Sequence, residues 1–344
     1  NDYDLGEEIR CWGINLPEDL HLSLKKTFDS GWINTGPKEQ QFRELLKAQF
    51  GGKYATACMS GTAALNLALS AAGVTLGDEV ISTPYTWLAT NTAILERGAK
   101  PVFADIRYDD WNIDPDDVVK KITDKTKAII GVHYAGNALQ LDKLRSIAKD
   151  YDIPLIEDCA HAMGSFYDGN PIGHGADYAC FSFQCVKIVT CGDGGAVLTN
   201  SKNSYERLQR LCWYGIDKSL KRLEFIDPVP HHPEELGYKY NMNDITATMA
   251  ISAMNVLDGA LQERAQMAQL YNDKLQGSEV ITPAVRHPQN TPNYQIYPVH
   301  VKDRTTLAKL MLEDNIHLTV NNRRNDLYPV FGGLADLPVA ERCD

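Results

Sequence analysis

From residue 53 to about 200, short apolar runs alternate with stretches whose apolar residues recur every three or four positions. The spacing predicts strands at KYATACM (53–59), DEVIST (78–83), KPVFADI (100–106), TKAIIGVHY (126–134) and IPLIEDCA (153–160). Between them it predicts helices at GTAALNLALSAAG (61–73), WLATNTAILERG (87–98), DPDDVVKKI (114–122) and LDKLRSIAKDY (141–151). Asp114 is placed to cap the third of these helices, with Pro115 at its first position. Alternation of this kind gives a mainly parallel sheet covered by helices on both faces. Ligands of such sheets bind beyond the carboxyl ends of the strands.

The pattern changes after residue 240. Residues 242–275 carry apolar residues at mixed three and four spacing without proline, and predict one long helix or two joined near Gly259. NYQIYPVHV (293–301) predicts a strand and RTTLAKLMLEDN (304–315) a helix, whereas the charged, proline-containing residues 217–235 predict a loop. The expected fold class is α/β, with a large domain over residues 1–250 and a smaller α+β domain over 251–344. There is no internal repeat and no low-complexity segment.

Composition narrows the partners. With 344 residues, 44% of them hydrophobic, the chain can bury a large core. Its net charge of −11 argues against nucleic acid as a partner, but a local pocket can still take an anion. The eight cysteines (Cys11, Cys58, Cys159, Cys180, Cys185, Cys191, Cys212 and Cys343) form no C-x-x-C pair, and several lie in apolar runs. A reduced, cytoplasmic setting is expected. No leader and no run of about 18 apolar residues is present, so neither a signal peptide nor a membrane span is expected. His231-His232 lacks a third ligand at metal spacing, and GDGG completes neither a dinucleotide nor a P-loop fingerprint.

Candidate chemistry gathers at the strand ends. Ser60-Gly61-Thr62 opens a helix, where unpaired backbone N–H groups and the helix dipole favour a phosphate; Ser-Gly is also an ordinary cap. Trp87 begins the next helix, as a core aromatic or as a platform for a flat ring. Glu157-Asp158 ends a very apolar strand, where a carboxylate is costly unless paired. Asp158 is a helix cap or an anion for a protonated ring nitrogen, and His161 follows three residues on. In FSFQCVKIVTCGDGGAV (181–197), the lone Lys187 lies between two apolar runs, beside a glycine-rich turn. Burial lowers a lysine's pKa and exposes an amine that forms Schiff bases with carbonyls. Ser182 adds a hydroxyl. A phosphate cradle, a ring platform, an aspartate for a pyridinium nitrogen and a Schiff-base lysine are together the parts of a pyridoxal 5′-phosphate (PLP) site.

At this point the chain resembles the DegT/DnrJ/EryC1/StrS sugar aminotransferases of the fold-type I PLP superfamily. The matching stretches are SGWINTGPKEQQFRELLKAQFGGKYATACMSGTAALNLAL, GDEVISTPYTWLATNTAILERGAKPVFADI, HYAGNALQLDKL, IEDCAHAMGSFYDG, FSFQCVKIVTCGDGGAV and GYKYNMNDITATMAI, over about residues 28–270. The resemblance implies a large domain with a mainly parallel seven-stranded sheet between helices. It implies that Lys187 forms the Schiff base, Asp158 binds the pyridine nitrogen and Trp87 stacks on the ring. Gly61, Thr62 and Ser182 would bind the phosphate, and Asn241 would reach the phosphate of the neighbouring subunit in a homodimer. His161 stands where the family usually has a glutamine near the ring hydroxyl, and Asn137 where HYAGN usually ends in glutamine or a similar residue. Glutamate would donate the amino group, leaving pyridoxamine phosphate and 2-oxoglutarate, and a nucleotide-linked keto-sugar would accept it at C3 or C4.

For substrate contacts the resemblance points to Arg323 and Arg324 in NNRRNDLYPVFGG, as ligands for a phosphate or carboxylate or as solvated arginines. Trp213 and Tyr214 in CWYGIDKS are placed to shape a sugar pocket. Family members usually continue a few tens of residues beyond LPVAERCD, so the smaller domain is expected to be incomplete here. Two other readings differ in chemistry: a dehydratase, whose relatives carry histidine in place of the lysine, and a PLP-fold protein that only binds. Lys187 favours transamination over both.

Overall fold

The computed structural model describes residues 16–217, 233, 235–319 and 322–344. Two N-terminal helices, α1 (Leu20–Asp29) and α2 (Pro37–Phe50), lead into β1 (Tyr54–Cys58) and α3 (Gly61–Ala71). The alternation then runs through β2 (Glu79–Ser82), α4 (Leu88–Glu96), β3 (Lys100–Phe103), α5 (Pro115–Lys121), β4 (Thr126–Val132), α6 (Leu141–Asp150) and β5 (Leu155–Asp158). A small hairpin, β6 (Phe166–Tyr167) and β7 (Asn170–Pro171), precedes β8 (Tyr178–Ser182), β9 (Gly195–Thr199) and α7 (Lys202–Cys212). Asp114 caps α5 as its position predicts, accepting from the Asp116 N–H with Pro115 at the first helical position.

Seven strands form one sheet in the order β1-β9-β8-β5-β4-β2-β3. Every pairing is parallel except those of β9, which runs against both β1 and β8. The carboxyl ends of the other six therefore share one edge. The period-2 alternation of strand side chains divides the core in two. Ala55, Ala57 and Ile129 pack on one face with Phe42, Leu46 and Leu144 of α2 and α6. Cys58, Ala128 and Ile130 pack on the other with Leu67, Ile94 and Leu208 of α3, α4 and α7. No disulfide joins the described cysteines, and none of the described helices is long and apolar enough to cross a membrane.

The second half departs from its predicted elements in two places. Residues 242–275 form two helices, α8 (Asp244–Met254) and α9 (Leu257–Leu275). The break is at Asn255-Val256, where the N–H groups turn to the carbonyls of Ser252 and Ala253, three residues back. It is not at Gly259, which lies inside α9 with open space where a Cβ would stand. Beyond β10 (Ile281–Pro283) and β11 (Asn290–Thr291), only the end of the predicted 293–301 strand is extended, as β12 (Val299–Val301), which pairs with β10. The first part is diverted because the Asn293 side chain is engaged elsewhere and Tyr294 takes a φ of +53°. The strand β11 joins the β6–β7 hairpin. After α10 (Arg304–Glu313), residues 322–344, ending in α11 (Pro338–Cys343), return to the large sheet. There Asn325 bonds to Pro84, Thr86 and Asn91, and the N–H groups of Val339 and Ala340 meet the Asp105 carboxylate. The loop predicted at 217–235 lies mostly outside the described residues, as does His231-His232.

Candidate active site

Sheet order explains why residues far apart in sequence share one edge. The ends of β1, β8 and β5 lie within four neighbouring strands, and the connection from β8 to the antiparallel β9 spans residues 183–194 there. Lys187 is on that connection, Asp158 is the last residue of β5, and Ser60-Gly61 follows β1.

Glu157 and Asp158 have opposite fates because adjacent strand residues face opposite sides. Glu157 turns to the α6 face, where its Oε1 accepts from Arg145 Nη2 (2.7 Å) and Nε (3.2 Å), and His133 Nε2 lies 3.3 Å from its Oε2. Although burial opposes it, those partners hold Glu157 below the usual carboxylate range. Asp158 turns to the α4 face and is 4% exposed. Its Oδ2 accepts from Thr90 Oγ1 (2.8 Å), which in turn pairs with Thr86 Oγ1 (2.7 Å), and its Oδ1 accepts from the Ala160 N–H (3.1 Å). Burial pushes Asp158 above the usual range, against these two bonds and the charge of Lys187.

Lys187 is half-buried. Desolvation pulls its ammonium down from 10.5 to about 8, with the Asp158 charge opposing. His161 is held well below 6.5 by burial and by the Lys187 charge, so its ring is neutral, and its buried Nδ1 has no hydrogen-bond partner among the described residues. It packs edge-on to Tyr134, 6.3 Å between ring centres.

At the end of β1, the Ser60 side chain caps α3 by accepting from the Ala63 N–H (3.1 Å). A Cβ on Gly61 would fall 2.7 Å from Ser182 Cβ and 3.0 Å from its Oγ, and one on Gly195 would fall 2.1 Å from the Ser60 carbonyl oxygen. Glycine at both positions lets Ser182, the start of β9 and the first turn of α3 pack closely against one another. Thr62 lies in that turn. Trp87 precedes α4 and stays 64% exposed.

The other candidates are spread wider. Asn241 bridges to Cys58 beside the β1 end; its Nδ2 donates to Thr35 Oγ1 (2.6 Å) and its Oδ1 accepts from Lys239 Nζ (3.0 Å). The Lys239 ammonium lies 3.4 Å from the Trp213 ring centre, and Tyr214, with a φ of +55°, sets its ring edge-on to Trp213. Asn137 Oδ1 accepts from Asn290 Nδ2 (3.2 Å). Arg323 is exposed over the Tyr328 ring. Arg324 departs from one of the alternatives the sequence left open: it is 4% exposed and gives its fork to Asp326, Nε to Oδ1 at 3.1 Å and Nη2 to Oδ2 at 2.7 Å, so it is not a solvated arginine.

Three residues that sequence reasoning missed complete the surroundings. Thr90 reaches Asp158, Asn293 Nδ2 holds the His161 and Met163 carbonyls (2.9 and 2.8 Å), and Gln295 bonds to the main chain on both sides of Lys187. Only the Thr86/Thr90 pair left a sequence trace, two hydroxyls four residues apart across the start of α4.

The residues present fit PLP. A buried carboxylate with capacity for a further donor suits a protonated ring nitrogen. A helix N-terminus at Gly61 with the Ser182 hydroxyl close by suits a phosphate. A lysine titrating near 8 suits an aldehyde, and an unpartnered buried imidazole nitrogen leaves one more polar group for the ring.

The model of the DegT/DnrJ/EryC1/StrS aminotransferase family matches residues 16–342. An uncharacterized protein of Methanocaldococcus jannaschii, MJ1066, is 37% identical over 314 residues, which is 89% of this chain and 81% of that protein. Among solved structures, the sugar aminotransferase CalS13 of Micromonospora echinospora superposes with a TM-score of 0.92 at 29% identity, over 97% of this chain and 92% of that one. The PMP form of Spr1654 of Streptococcus pneumoniae, also solved in a PLP form, gives 0.89 at 28% identity over 97% and 90%.

Proposed function

We propose a specific transfer for this chain, which belongs to the DegT/DnrJ/EryC1/StrS aminotransferase family and is a PLP-dependent sugar aminotransferase: it moves an amino group from glutamate to a nucleotide-linked keto-sugar in a ping-pong cycle in the cytoplasm. The observation that carries the reading is Lys187, half-buried, titrating near 8 and under the charge of Asp158 where the strand ends converge. When bound, PLP supplies a carbonyl that captures amines and a ring that withdraws electrons from the carbon being deprotonated.

The chain's own residues would do the rest. Gly61, Thr62 and Ser182 would hold the phosphate, and Trp87 would cover the ring. Asp158 would keep a proton on the ring nitrogen, and neutral His161 would serve the ring hydroxyl. Lys187 Nζ removes a proton from the amino-bearing carbon of glutamate and, in the second half, delivers one to the acceptor carbon of the sugar. A lysine that titrates near 8 is roughly one-tenth neutral at pH 7, against less than about a thousandth for an ordinary lysine. Trp213, Tyr214 and Arg323 are assigned to the sugar side, and residues 1–250 and 251–344 to the large and small domains. Asn241 completes the phosphate site of a second subunit in a homodimer. Supporting that assembly, Trp32, Ile33, Met59 and Trp87 are each at least half exposed on the single chain.

The test is the near-ultraviolet and visible spectrum of the protein supplied with PLP. Glutamate is expected to bleach the yellow band, and a nucleotide keto-sugar to restore it. A band that glutamate leaves unchanged would exclude it as the donor. The pH dependence is a separate prediction. Uptake of PLP by the apo protein needs the neutral amine, so its rate is expected to rise with pH and level off above about 8. A rate still climbing beyond pH 9 would mean that Lys187 titrates as an ordinary lysine.

A further inference from the structure

We infer that Gln295 is a positioning residue for Lys187, its carboxamide clamping the two peptide groups that flank the lysine; this rests on the role given to Lys187 above. Gln295 Oε1 accepts from the Ile188 N–H (3.2 Å), and Nε2 donates to the Val186 carbonyl (2.9 Å). One side chain thus supplies the donor and the acceptor that a neighbouring strand would offer. The lysine lies between β8 and β9, where no strand among the described residues does so. Its own turn adds two local bonds, from the Lys187 N–H to the Gln184 carbonyl (2.9 Å) and from the Val186 N–H to Gln184 Oε1 (3.2 Å). A lysine side chain has many rotamers, so anchoring its Cα is the means by which the fold can aim it.

The clamp is itself held. The Gln295 N–H donates to Asn293 Oδ1 (2.8 Å), and Arg264 of α9 donates from Nη1 to the carbonyls of Tyr294 (3.0 Å) and Gln295 (3.4 Å). Asn293 grips the other side of the site through the His161 and Met163 carbonyls, and its N–H donates to Ser165 Oγ (3.0 Å). Between the two amides, Tyr294 keeps its φ of +53° with the Arg286 guanidinium 4.3 Å from its ring centre. A left-handed tyrosine persists only where its surroundings over-determine it. Residues 293–295 therefore fix the Lys187 turn with one side chain and the His161 loop with the other.

Two variants test this. Gln295→Met keeps length and volume and removes both bonds. In the apo protein, exchange of the Ile188 amide, followed by NMR, is expected to accelerate at least about tenfold, with an unchanged melting temperature. In the loaded enzyme, kcat is expected to fall about ten- to a hundredfold, the cost of a misplaced reacting group, with the KM for glutamate within about twofold. Gln295→Glu carries a donor and an acceptor only when protonated. Its kcat relative to the unmodified protein at the same pH is therefore expected to recover as pH falls. Unchanged Ile188 exchange in Gln295→Met overturns the clamp. Faster exchange with full kcat, or a Gln295→Glu deficit that does not vary with pH, overturns the positioning role. Failure of the transamination reading would show elsewhere, in an unmodified protein that never turns over glutamate while its Ile188 amide stays protected.

Discussion

Lys187→Ala is expected to lower turnover by about 10⁴-fold, the upper range for a positioned acid–base group, and to leave a protein that loses PLP on dialysis. Lys187→Arg separates the possible causes. It keeps a cation beside Asp158 but cannot give up its proton, so it is expected to fail as badly as alanine. Folding supplies the control. The folded chain holds the lysine at about 8, below its unfolded value of 10.5, so the folded state binds its proton less tightly than the unfolded one. Below about pH 8 both states carry the proton and the ammonium is a full cost to folding; the cost fades as pH rises toward 10.5. At pH 7 the alanine variant without cofactor is therefore expected to melt no lower than the unmodified protein. A variant that kept more than about a hundredth of the turnover would take Lys187 out of the proton-transfer role.

How much of this site could be read from sequence depends on how each contact is made. Lys187, Asp158, Ser60 and Gly61 announce themselves because each interrupts a strong apolar pattern at a predicted strand end, and a mainly parallel sheet brings such ends to one edge. Thr90 and Gln295 do not. The bond from Thr90 to Asp158 spans 68 positions, and those from Gln295 to the Lys187 turn span 107 and 109. A side-chain amide that grips a distant main chain leaves no periodicity, and Gln295 lies inside a run that looks like strand. The same limit explains the helix break. Gly259 attracts attention by its residue type, but the chain turns at Asn255-Val256, where the carbonyl partners shift. The solvated alternative for Arg324 failed because a buried Arg–Asp pair two residues apart has the same sequence signature as two solvated charges.

Asp158→Asn is expected to lower turnover about 10²- to 10³-fold, in the range for loss of one preorganised electrostatic contact, and to raise the melting temperature of the apo protein. Both effects come from the same burial. Burial raises Asp158 above its unfolded range even against Thr90, Ala160 and Lys187. A carboxyl raised on folding contributes stability only while protonated, so that contribution is present at acid pH and lost as pH rises through its folded pKa. At neutral pH the ionised carboxylate is thus a cost to the apo chain. Asparagine removes it while keeping an oxygen for the Ala160 N–H; Thr90 can accept from the amide and still pair with Thr86. The charge also supports the lysine. Asp158 is what holds Lys187 up against desolvation, so in the asparagine variant the plateau of PLP uptake is expected to begin below pH 8. A more stable apo protein that takes up PLP at lower pH yet turns over slowly is the signature of a carboxylate kept for the ring nitrogen. If turnover fell and stability fell with it, Asp158 would instead be a structural cap for the Ala160 N–H. If turnover held while the uptake curve moved, the carboxylate would act only on Lys187, and the ring nitrogen would need another partner.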